Sequence, residues 1–150
     1  MAVLEIKKAG DKVLKEQCSA VARIDRKIKQ LLDDMAETMY DADGVGLAAP
    51  QVGVSLKIIV IDVGNGIIEL INPIIVEKEG EEKGTEGCLS IPGIYGEVER
   101  SSKVVVEGLN RNGKKERIIG TGLLARALQH EMDHLDGVLF IDRAQTICKR

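Results

Sequence analysis

Apolar side chains recur at two different periods along this 150-residue chain, and the changes of period divide it into elements. Between Asp25 and Asp41, Ile28, Leu31, Leu32, Met35 and Met39 fall at i, i+3, i+4, i+7 and i+11. That spacing predicts one helix with an apolar stripe and a solvated Lys/Asp/Glu face. The run Lys57 to Val63 is almost wholly β-branched, which predicts a buried strand. Gly64-Asn65-Gly66 marks a turn and Ile67 to Asn72 a returning strand. Pro73 is expected to close that strand, because it cannot donate to a ladder, and Ile74 to Glu79 predicts a third. A long strand region is expected from Glu97 to Asn110, centred on Val104-Val105-Val106, with a hairpin turn at Asn110-Arg111-Asn112-Gly113 and a return over Lys114 to Ile119. From Thr121 the helical period reappears in Leu123, Leu124, Ala127 and Leu128, with Thr121 as the expected cap and Asp136-Gly137 as the stop. Asp11 to Cys18 predicts a short helix capped by Asp11, and Val138 to Ile141 one more short strand.

Two glycine-rich stretches interrupt the pattern. Gly44-Val45-Gly46-Leu47-Ala48-Ala49-Pro50-Gln51-Val52-Gly53 is small and apolar, so its backbone can approach a ligand closely. No Gly-Lys-Ser/Thr follows and the Rossmann spacing is missing, so it is not a phosphate loop; Gln51 is its one polar tool. In Gly84-Thr85-Glu86-Gly87-Cys88-Leu89-Ser90-Ile91-Pro92-Gly93, Cys88 reads equally as a buried structural thiol or as a thiolate ligand.

Composition narrows the function classes. One Phe, two Tyr and no Trp leave the core to aliphatic side chains and argue against an aromatic platform for single-stranded nucleic acid. A net charge of −3 without a dense basic run argues against nucleic acid or an anionic membrane as partner. No apolar run approaches the ~20 residues that span a bilayer, and the first residues show no signal-peptide core. Three widely spaced cysteines, Cys18, Cys88 and Cys148, make a poor disulfide framework. The expectation is a single cytoplasmic domain over residues 1–150.

Both histidines of the chain stand in Gln129-His130-Glu131-Met132-Asp133-His134. On the predicted helix His130 and His134 lie one turn apart on one face and can grip one metal ion. Glu131, roughly 100° further round, can reach a water on that ion, as in the H-E-x-x-H arrangement. Two histidines leave the ion short of ligands. The position six residues beyond His134 is Phe140, not a third histidine, and Asp142 has no supporting context, so the third ligand is expected upstream.

Three stretches taken together resemble the peptide deformylase family: Gly44-Val45-Gly46-Leu47-Ala48-Ala49-Pro50-Gln51, then Glu86-Gly87-Cys88-Leu89-Ser90, then Gln129 to Leu135. The resemblance extends from about Gly10 to Arg143. It implies an α+β fold, with antiparallel and mixed sheets around a central helix carrying the metal motif. Cys88, His130 and His134 would bind one divalent metal ion, Fe(II) by preference, with Ni, Co or Zn able to replace it. The implied reaction removes the formyl group from the N-terminal formyl-methionine of new proteins, releasing formate. Glu131 would act as general acid and base on the attacking water, and the Gln51 amide and Leu89 N–H would stabilise the carbonyl oxygen. The peptide would pair, strand-like, near Gly46 and Gly87, with Val45, Leu123 and Ala127 around the methionine side chain and Arg100 near the groove. Leu123 and Ala127 precede His130 by seven and three residues and so share its helix face. The partners implied are formyl-methionyl nascent peptides near the ribosome exit, with no nucleic-acid readout, no membrane and a monomeric enzyme. Two departures stand out: Gly10 to Leu14 lacks the proline common at the family's start, and Arg126 places a charge on the face nearest the site, either turned outward or shaping the rim. The alternatives are an H-E-x-x-H peptidase, which leaves Cys88 unexplained, or a non-catalytic metal module, which has no use for Glu131 and needs a fourth protein ligand.

Overall fold

The computed structural model describes residues 2–149. Among the described residues, eight strands form two antiparallel sheets, accompanied by two α-helices. The larger sheet runs in the order β1 (Gly46–Ala48), β2 (Ile58–Ile61), β3 (Ile68–Glu79), β6 (Lys103–Leu109) and β7 (Lys115–Thr121). The smaller holds β4 (Glu82–Cys88), β5 (Ile91–Arg100) and β8 (Thr146–Lys149) in that order. Every pairing between these strands is antiparallel, and the parallel element of the expected mixed sheet is reduced to one isolated bridge, Ser19 to Leu56.

The larger sheet lies between the two helices. Ile58 and Val60 of β2 pack with Ile28, Leu32, Met35 and Met39 of α1 (Arg26–Asp41). Ile59 and Ile61 pack on the other face with Ala125, Ala127, Leu128 and Leu135 of α2 (Gly122–Leu135). That double covering is why β2 reads as an unbroken apolar run instead of an alternation. Asp25 caps α1, its side chain accepting from Ile28 N–H at 3.1 Å. Gly137 ends α2 in a left-handed turn at φ 75°, where a Cβ would lie 2.5 Å from the Lys15 carbonyl oxygen.

Several expectations are corrected. Pro73 does not close a strand: β3 runs through it, and the ladder jumps from Ile71/Leu109 to Ile74/Glu107 at a bulge. A proline has no donor to lose at a bulge. Asn72 takes φ 54° there, and its amide bonds both backbone groups of Val21. The region 97–110 is two strands, because the chain leaves the small sheet at Ser101-Ser102 and enters the large one. The glycine-rich stretches hold β1, with a 3₁₀ turn at Ala49–Val52, and most of β4 with the start of β5. Residues 11–18 form only a 3₁₀ turn at Lys12–Lys15, with Asp11 capping Val13 as expected. Val138 to Ile141 is not a strand; a 3₁₀ turn at Phe140–Asp142 buries Phe140 beneath the small sheet, and the last strand is β8. Thr121 precedes α2, but its side chain makes no cap bond.

Candidate metal centre

Helix α2 carries His130 and His134 one turn apart, both under 8% exposed, so the helical spacing becomes a buried pair. Cys88 arrives from the end of β4, where the ladder slips between Glu86 and Cys88 and the chain turns into β5. The possible ligand atoms of Cys88, His130 and His134 lie within 4.8 Å of one another, and Cys88 Sγ is 3.4 Å from His134 Nε2. A thiolate and two imidazoles are a donor set for a divalent transition metal.

The surroundings favour positive charge at this point. His130 Nδ1 meets Glu86 Oε1 at 2.8 Å. A carboxylate there fixes the proton on Nδ1 and leaves Nε2 free to ligate. Burial would lower the pKa of His130, but Glu131, Cys88 and Glu86 together hold it well above the ordinary value. The same field attracts a cation. His134, buried beside His130, is pushed the other way, toward the neutral form a ligand needs.

Glu131 is 4% exposed, and its Oε1 has no hydrogen-bond partner among the described residues. Burial pushes its pKa up to about 7, against the attraction of His130. A carboxylate at that value can take and return a proton near neutrality. A Cβ on Gly46 would lie 2.6 Å from Glu131 Oε2, so a side chain there would displace the carboxylate.

Gln51 is 1% exposed and held at both ends. Its Oε1 accepts from Ala48 N–H at 2.9 Å, which turns Nε2 toward Ser90 Oγ (3.1 Å) and Cys88 Sγ (3.5 Å). The amide donor therefore sits beside the metal ligands.

These groups open into a cleft of about 490 Å³. Val45, Gly46, Gln51, Gly87, Cys88, Leu89, Leu123, Ala127, His130 and Glu131, all singled out in the sequence, line it. His134 is not on the cleft wall and completes the group of possible ligand atoms. Strands β1 and β4, which supply Gly46 and Gly87, end their respective sheets. Each keeps one edge unpaired by any other strand described, as strand addition requires.

Arg100 is placed elsewhere. It does not line the cleft; it is buried between Glu86, which it bonds twice at 2.9 Å, and Asp133, at 2.6 Å. Its role is to hold Glu86: burial alone would raise the Glu86 pKa, but bonds from Arg100 and His130 bring it down to about 2. The sequence reading missed Glu86 and Ser90 as supports. Their signal was membership of the Glu86-Gly87-Cys88-Leu89-Ser90 motif, which does not say what either side chain touches. Arg126 lies on the cleft and folds inward onto Glu86 at 2.6 Å.

The chain is similar to known proteins in sequence and in fold. The family model described as Polypeptide deformylase matches residues 3–150. A peptide deformylase of Desulfitobacterium hafniense is 57% identical over 150 residues, covering 100% of both chains. One from Acetivibrio thermocellus is 62% identical over 143 residues, covering 95% of this chain and 84% of that protein. Among solved structures, the peptide deformylase of Thermotoga maritima superposes with a TM-score of 0.95 at 45% identity, covering 97% of this chain and 100% of that one. The Synechococcus elongatus enzyme in complex with actinonin gives 0.93 at 49% identity, covering 95% and 79%.

Proposed function

The chain belongs to the polypeptide deformylase family, and on that premise we propose how its residues remove the formyl group from nascent peptides. The observation that carries the reading is the unpartnered Glu131 Oε1 beside the Cys88, His130 and His134 ligand atoms. Those three side chains hold one divalent metal ion, which supplies Lewis acidity and lowers the pKa of water. The donor set suits Fe(II), and Ni, Co or Zn as substitutes.

The peptide lies as an added strand between the β1 edge at Gly46 and the β4 edge at Gly87. Its first side chain enters the pocket bounded by Val45, Leu123 and Ala127. Glu131 Oε1 takes a proton from the attacking water as that oxygen adds to the formyl carbon. Charge gathers on the formyl oxygen, where Gln51 Nε2 and the Leu89 N–H donate to it. Gln51 needs no reorganisation at that moment, because Ala48 and Ser90 already orient its amide. Glu131 returns its proton to the leaving nitrogen, the C–N bond breaks, and formate and a free N-terminus result. Arg100 supports Glu86 and, through it, His130; it makes no contact with the peptide.

No helix among the described residues is long and apolar enough to cross a membrane. We place the enzyme in the cytoplasm as a monomer, meeting chains as they leave the ribosome. The test is formate release from a formyl-Met tripeptide by anaerobically purified protein. One formate and one free amine per peptide are expected, with loss on chelation and recovery on adding Fe(II) or Ni. Metal bound one-to-one without formate release would overturn the reading and turn attention to cleavage within the peptide.

A further inference from the structure

Leu123, Arg126, Ala127 and His130 face the cleft at i, i+3, i+4 and i+7 of α2. Arg126 therefore shares a helix face with a metal ligand. A long cation at such a position ordinarily carries its charge out to water. Arg126 does not: its side chain is only 12% exposed and its guanidinium crosses to the opposite wall. Nη1 donates to Glu86 Oε2 at 2.6 Å and to the Val98 carbonyl at 2.9 Å, and Nη2 donates to the Glu82 carbonyl at 2.8 Å. These acceptors belong to β4 and β5, whereas the arginine belongs to α2.

The head fits because residue 84 has no side chain. A Cβ on Gly84 would sit 3.0 Å from Cζ, Nε and Nη2 of Arg126. Gly84 has no positive φ to explain it, so the space it leaves is its structural role. Arginine suits the position better than lysine, since its planar fork meets several fixed acceptors at once.

We propose that Arg126, seated on Gly84, is a positioning residue that latches the β4–β5 wall to α2 and so fixes the width of the pocket for the peptide's first side chain. This rests on the deformylation reading above. The latch joins the two walls at the cleft itself. The His130–Glu86 bond ties the same walls deeper in the cleft, at the candidate metal centre, and the Arg100–Asp133 bond ties them through residues that do not line it.

Three variants test it. Arg126→Met keeps an unbranched stem and removes every donor. Arg126→Lys keeps the charge with a single head atom. Gly84→Ala leaves Arg126 intact and crowds its head. For each, kcat and KM are measured on formyl-Met and formyl-Ala tripeptides, together with bound metal, thermal unfolding and binding of the deformylated Met tripeptide. Losing the latch should raise KM for formyl-Met about tenfold in Arg126→Met and Gly84→Ala and reduce the Met-over-Ala preference by a similar factor. Product binding should weaken in parallel, with kcat within about threefold and metal content unchanged. Arg126→Lys should fall between. Unchanged KM, preference and product binding in Arg126→Met and Gly84→Ala would overturn the proposal. So would a fall in kcat with metal loss and unchanged preference, since Arg126 would then act on His130 through Glu86. If the unsubstituted chain releases no formate, the deformylation reading fails, while product binding still reads the latch.

Discussion

Helices α1 and α2 are 16 and 14 residues long and cover opposite faces of the same sheet, yet they bury different chemistry. α1 buries Ile28, Leu32, Met35 and Met39, and its one buried polar side chain, Thr38, donates to the Asp34 carbonyl one turn back. α2 buries Gln129, His130, Glu131 and His134. A buried polar group costs stability unless it is paired. Gln129 is paired with Ser101 and Ala125, and His130 with Glu86. Glu131 Oε1 and His134 Nδ1 have no partner among the described residues. α1 also carries one such atom, Glu37 Oε2, but on a side chain outside its buried apolar stripe, so the face it buries is there for packing. α2 keeps its unsatisfied polar atoms at the candidate metal centre, and relies on the sheet and α1 to offset the cost.

The sharpest test of this contrast is Glu131→Gln. It should lower kcat by about a thousandfold, the scale of a lost general acid–base. Its thermal stability should be unchanged or higher, since a buried charge is removed; a marked destabilisation would break the contrast. Met35→Ala should do the reverse. Met35 is fully buried, so the protein should lose about 2–5 kcal/mol in denaturant unfolding while kcat stays the same.

A third test uses acid. Glu86 is held at about 2, below its ordinary 4.5, so it stabilises the fold above about pH 4.5. That stability is lost as pH falls from 4.5 toward 2, when the folded carboxylate is protonated as well. In metal-stripped protein, Glu86→Gln should be less stable at neutral pH and show a flatter loss across that window. An unchanged acid limb would mean that Glu86 is not the support of His130 described here. The smallest effect separates the helix starts. Asp25→Ala should cost about 1 kcal/mol, as a lost cap does. Thr121→Ala should cost under about 0.5 kcal/mol, because Thr121 makes no cap bond.

Local chemistry was legible along the chain, and partnerships across it were not. The Asp25–Asp41 helix, the histidine pair and the Gly137 stop all follow from spacing over a turn or two, and each stands where its residues indicated. Cys88 reads as structural thiol or ligand alike unless the three motifs are taken together, because nothing near it in sequence reveals His134 at 3.4 Å. The hidden break at Ser101-Ser102 is of the same kind: strand propensity runs straight through from Glu97 to Asn110, and only the choice between two sheets divides it. β8 has no apolar alternation to announce it, since all four of its residues are exposed, and its pairing with β5 makes it a strand.

The sequence by itself determined the helix that carries the histidine pair and the residue types offered as ligands and base, because side-chain identity and helical period act within a few residues. Tertiary structure decided which atoms those groups meet. It moved Arg100 from the groove to the back of Glu86, turned Arg126 inward over Gly84, and set Gly46 against Glu131. The reason is physical: burial and charge pairing depend on segments far apart in the chain, Glu86 and Arg100 by 14 residues and Gly46 and Glu131 by 85, and no local period encodes such distances.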